Sequence, residues 1–194
     1  MKFTRISALA VAAAATAFAG SASAIPIQAT FNFVPLGTIT ADTNDVTSAS
    51  IMSGGSPLIV TGILRNNVGL VTGQSVTLTD PVGVKVGDVF TKQFTTRFGT
   101  FLETLTVNLR TPGPSSLGIT AIGTIVQTAG VGFDPTPVSY SAAYTQNGGI
   151  GEQINASFND STPAVPRIPE PASLALVGLA LAGLGLTARR RAAK

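Results

Sequence analysis

The 194-residue sequence contains no cysteine, no histidine and no tryptophan. Each absence excludes a chemistry. Without cysteine no disulfide can staple the fold, so a hydrophobic core must hold it. Without histidine or cysteine there is no Ser-His-Asp triad, no thiolate nucleophile, and no ordinary zinc, copper or iron site. Neither a cofactor nor a metal is expected, and the chain is not expected to be an enzyme. A glycosidase needs only two carboxylates, but nothing in the sequence singles out a pair.

Positive charge is also scarcer than the pI of about 9.7 suggests. Between Ile25 and Ile168 there are six basic side chains (Arg65, Lys85, Lys92, Arg97, Arg110 and Arg167) against eight acidic ones, which leaves −2. The basic residues are scattered among acids rather than clustered, so no nucleic-acid partner is expected. The excess of positive charge belongs to the two ends of the chain.

The first 24 residues have the three parts of a secretory signal peptide: Lys2 and Arg5, an apolar run from Ile6 to Phe18, and the small-residue site Ala22-Ser23-Ala24. Cleavage after Ala24, directed by Ala22 and Ala24, makes Ile25 the expected first residue of the mature chain.

From Ile25 the pattern is period-2 alternation. Ile27, Ala29, Phe31 and Phe33 are apolar, while Gln28, Thr30 and Asn32 between them are polar. The alternation recurs at Val76 and Leu78, at Val82, Val84 and Val86, at Leu105, Val107 and Leu109, at Val138, Tyr140, Ala142 and Tyr144, and at Ile154, Ala156 and Phe158. Turn-forming clusters such as "MSGGSP", "TDPVG", "TPGPSSLG" and "QNGG" separate these runs. The expected fold is all-β, an antiparallel β-sandwich or jelly roll over residues 25–160. Residues 161–168 read as a proline-containing linker. Phe90, Phe94 and Phe98 are spaced by four, which fits one helix face or one strand face; their threonine-rich surroundings favour a strand. Residues 40–57 read as a long loop with one short strand.

Several local features invite a functional reading. Asp42, Asn44 and Asp45 could offer oxygen ligands to calcium, although Asp and Asn also start turns. Tyr140 and Tyr144 share one strand face and could form a sugar platform, but their alternation with serine fits an inward core better. Thr38-Ile39-Thr40, Thr77-Leu78-Thr79 and Thr104-Leu105-Thr106 could suit ice binding, yet the solvent face of any sandwich is threonine-rich. Asn155 and Asn159 stand in the N-glycosylation pattern.

The chain ends in "PEPASLALVGLALAGLGLTARRRAAK". Residues 172–188 carry no charge and would form a helix about 26 Å long, just enough to span a bilayer. Arg189, Arg190 and Arg191 would form its cytoplasmic basic stop, leaving the body outside. This ending resembles the PEP-CTERM sorting signal of Gram-negative bacteria, with Pro169-Glu170-Pro171 as the sorting motif, followed by the helix and the arginines. The resemblance implies processing by an exosortase-type enzyme, transient anchoring in the inner membrane, and delivery to the cell surface or extracellular matrix. It implies exopolysaccharide as a further partner. The same segment is also classed as the C-terminal domain of ice-binding proteins. The expected function is that of an exported structural or adhesive component of the surface or biofilm matrix. The alternatives are a carbohydrate-binding module, an ice-binding protein and a polymer-acting hydrolase.

Overall fold

A computed structural model describes residues 25–130 and 132–164. The signal peptide, the sorting motif Pro169-Glu170-Pro171, the terminal helix and the arginine cluster lie outside the described residues. The unit formed by Ala164–Lys194 therefore contributes only Ala164.

The described residues form thirteen strands: β1 (Ile25–Pro26), β2 (Ala29–Pro35), β3 (Ile39–Ala41), β4 (Ile51–Gly54), β5 (Leu58–Asn66), β6 (Ser75–Leu78), β7 (Val82–Gly83), β8 (Val89–Thr96), β9 (Gly99–Pro112), β10 (Ser116–Ala129), β11 (Phe133–Asp134), β12 (Thr136–Gln146) and β13 (Ile154–Ser161). Eight of them run in the order β12-β10-β9-β8-β6-β5-β2-β13, and β13 pairs back onto β12. Every one of these pairings is antiparallel. The result is a closed eight-stranded barrel. The expected two-sheet sandwich or jelly roll is incorrect.

The physical reason lies in strand length and bulging. Alternation is the same in a sandwich and a barrel; closure depends on strands that bend and on a last strand that meets the free edge. Strands β9 and β10 are each 14 residues long. Their register slips opposite Thr120/Ala121, where Asn108 is left over, and again near Thr128. Strand β5 slips twice against β2. Each extra residue increases twist and coils the sheet. Strand β13 then pairs with β12 from Ser139↔Ser161 to Gln146↔Ile154 and completes the ring. A small flap, β3-β4-β7, extends from β13 through the pair Ile154↔Ile39. A parallel pair, β1 with β11, lies apart from this sheet.

The alternation settles most side chains. Ile27, Ala29, Phe31 and Phe33 are all buried, as are Val138, Tyr140, Ala142 and Tyr144. Phe90 and Phe94 lie inward on β8, while Phe98 sits beyond its end and is exposed. Leu109 departs from its run because the bulge at Asn108 turns it outward. Val86 is also exposed, in the turn that follows β7. The loop of residues 40–57 contains β4 together with the end of β3.

The barrel also ends later than expected. Asp160 and Ser161 belong to β13, and Thr162 is buried. The Thr162 N–H donates to the Ala29 carbonyl, and its hydroxyl accepts from the Ala29 N–H. Ser161 and Thr162 read as linker because they lack apolar side chains, yet Ser161 pairs with Ser139 and Thr162 bonds to Ala29.

Candidate functional site: the charged barrel interior

Three inward positions carry ionisable side chains where alternation calls for apolar ones. On β8 Lys92 stands between the inward Phe90 and Phe94. On β9 Glu103 stands between Phe101 and Leu105, and on β13 Asp160 follows Phe158. Lys92 and Glu103 are register partners on adjacent strands. Asp160 arrives from the opposite wall, since β13 lies four places from β8 around the ring.

All three side chains are fully buried. The Lys92 Nζ lies 2.8 Å from Glu103 Oε2 and in direct contact with Asp160 Oδ2. Aromatic rings pack around the amine, with the Phe31 and Phe33 centroids 4.6 and 4.8 Å away. Tyr140 lies across from Phe90 at 5.2 Å, and Phe158 stacks on Phe33 at 5.1 Å. Beyond the two ion-pair contacts, the Lys92 amine and the Glu103 and Asp160 oxygens have no hydrogen-bond partner among the described residues.

The electrostatics follow from burial. Loss of water pushes the Lys92 amine down to about 8, against the opposing attraction of Glu103. The same desolvation pushes the Glu103 carboxyl up, against the attraction of Lys92. Tyr140 is held well above its ordinary value by burial, then by the neighbouring Tyr144 and the Glu103 carboxylate. Tyr144 is raised by burial as well. One cation thus faces two carboxylates in a dry, aromatic enclosure. Fully ionised, the trio carries a net −1 with few compensating hydrogen bonds, a costly arrangement in a protein interior.

Glu103 and Asp160 are thereby the carboxylate pair that the fold brings together. They lie in a sealed interior rather than across a cleft, so no polymer chain reaches them. The sequence reading missed this cluster, although the signal was available: "FTKQF", "FLETLTV" and "INASFND" each place a charge in phase with the apolar residues.

The other sequence candidates have structural partners. The Asp42 Oδ1 accepts the Ser50 N–H and the Asp45 Oδ1 accepts the Thr47 N–H, both at 2.8 Å, as turn-forming side chains do. The Asn44 carbonyl accepts from the Gln146 side chain and from the Gly151 N–H. Among the described residues no three acidic or histidine side chains converge as metal ligands. Tyr140 and Tyr144 are core residues. The three threonine triplets fall on or beside β3, β6 and β9, with Ile39 and Leu105 buried between their threonines.

The outer wall is the converse of the interior. Thr104, Thr106, Thr124, Ser139, Ser141, Asn155 and Ser157 face outward. A groove of about 490 Å³ lies at the flap, lined by Thr38, Thr40, Asn44, Gln146, Glu152 and others. No helix among the described residues is long and apolar enough to cross a membrane.

Comparison with known families matches the PEP-CTERM protein-sorting motif at residues 167–191. That range takes in Pro169-Glu170-Pro171 and the arginine cluster. The chain therefore carries the sorting signal of an exported protein, and the motif implies processing by an exosortase-type enzyme. No curated protein and no solved structure matches the chain.

Proposed function

We propose that the barrel is the non-catalytic cargo of this sorting signal, a structural or adhesive component of the cell surface or its extracellular matrix. The reading rests first on the PEP-CTERM motif at residues 167–191, which directs the chain outward. The barrel wall supports it. Its strands present hydroxyl and amide groups to solvent, and Glu103 and Asp160, the carboxylates that the fold brings together, are sealed inside with Lys92. A hydroxyl-rich wall can hydrogen-bond to hydrated polysaccharide or to a neighbouring wall without relying on charge, so such contacts would tolerate changes in salt. The carbohydrate-module alternative loses its platform, because Tyr140 and Tyr144 are core residues.

The test uses the native host. Deleting the gene is expected to reduce cell-surface adhesion or matrix cohesion, and the wild-type chain is expected to restore it. A Glu170→Ala chain is expected to accumulate at the inner membrane and to fail to restore it. Unchanged adhesion and matrix cohesion in the deletion strain would overturn the proposal.

A further inference from the structure

We propose that Lys92 and Asp160 are joined by an intramolecular isopeptide bond that forms autocatalytically in the barrel interior, with Glu103 as the proton-transferring catalytic residue. The three functional groups that this condensation needs, and only these, are the charged groups of the interior. The Lys92 Nζ is in direct contact with the Asp160 carboxylate, and the Glu103 Oε2 lies 2.8 Å from the same nitrogen. All three are sealed from water, and Phe31 and Phe33 enclose the amine. Barrel closure brings amine and carboxyl together from opposite walls, so the reaction is intramolecular and its entropic cost is met by folding.

The step balances without an oxidant, a cofactor or an energy source. Glu103 takes a proton from the Lys92 ammonium, and the free amine forms a bond to the Asp160 carboxyl carbon. Glu103 hands protons on to the departing oxygen, the C–O bond breaks, and that oxygen leaves as water. The nitrogen loses two protons, the oxygen gains two, and Glu103 ends as it began. In bulk water an ammonium and a carboxylate gain little by condensing. In this enclosure the reaction removes two buried charges, and the new amide N–H can still donate to Glu103. Burial also favours the free amine on Lys92 and the protonated acid on Glu103, the forms that the proton transfer uses.

The bond would tie β8 to β13 across the barrel and supply the covalent staple that a cysteine-free exported domain otherwise lacks. It does not depend on the proposed surface role.

The experiment is a tryptic map of the purified full-length chain. Trypsin should leave Lys92 uncut and yield a branched species in which residues 86–97 are joined to residues 111–167, lighter than the two peptides together by one water. Asp160→Asn should give the same branched species with ammonia lost instead of water, an outcome that no ion pair produces. Glu103→Gln should restore cleavage after Lys92 and separate peptides, with retention of the fold checked by circular dichroism. Unlinked peptides and free cleavage after Lys92 in the wild-type chain would overturn the proposal without recourse to any variant. Undiminished linkage in Glu103→Gln would overturn the role of Glu103.

Discussion

Replacing Lys92 by Met keeps the stem that packs against Phe31 and Phe33 but removes the one cation of the interior. Glu103 and Asp160 are then left facing each other at 0% exposure. Breaking a buried ion cluster by deleting one partner costs about 3–5 kcal/mol, because the remaining charge must stay unpaired or take up a proton. Where the Lys92–Asp160 bond exists, its loss also releases a loop from residue 92 to residue 160. A covalent closure of that length contributes about 4 kcal/mol on a chain-entropy basis. For a domain of this size each kcal/mol moves Tm by about 3 °C, so Lys92→Met should melt at least about 10 °C below wild type. The assay is thermal unfolding followed by circular dichroism, with the triple variant Lys92→Met, Glu103→Leu, Asp160→Leu beside it. An all-apolar interior leaves no orphaned charge and should recover part of the loss. A Lys92→Met chain that melts within about 3 °C of wild type would refute the view that Lys92 holds opposite walls together.

The remaining expectations concern titration, a loop anchor and a close strand contact. In a Glu103→Gln chain Lys92 stays a free amine; its folded pKa, about 8 with Glu103 beside it, is held by burial under its unfolded 10.5. Between those values the unfolded chain binds the extra proton, so stability should rise as pH increases from about 8 to 10.5. Denaturant titrations should show that rise in the variant and not in the cross-linked wild type, where no amine remains. Gln146 is buried, accepts the Val46 N–H at 2.8 Å and donates to the Asn44 and Glu152 carbonyls. Gln146→Ala should cost about 1–3 kcal/mol and speed hydrogen exchange at Val46 well before the barrel strands. A Cβ at Gly123 would overlap the Thr104 carbonyl of the neighbouring strand. Gly123→Ala should therefore cost about 1–3 kcal/mol in chemical denaturation.

Strand identity was legible because alternation reports which side chains turn inward, and Phe31, Phe33, Tyr140 and Tyr144 all obey it. Closure was not, because it rests on the β12–β13 pairing and on bulges at positions such as Asn108, which leave no mark on a period of two. Leu109 shows the same limit in miniature, since one leftover residue turns an apolar side chain outward. The interior cluster was hidden for a different reason. Lysine, glutamate and aspartate are read as solvent-facing, so Lys92 reads as filling between phenylalanines and Asp160 as the polar end of the fold. The phase of each within its strand was the available clue; that the three meet is a property of the closed ring alone.

The most direct measurement on the whole account is the intact mass of the protein recovered from the surface of its native host. The expected product begins at Ile25, has lost the terminal helix by processing near Pro169-Glu170-Pro171, and is lighter by one water than the sequence between its two ends. A product that still ends at Lys194 would contradict the sorting claim. A mass with no water missing would contradict the staple.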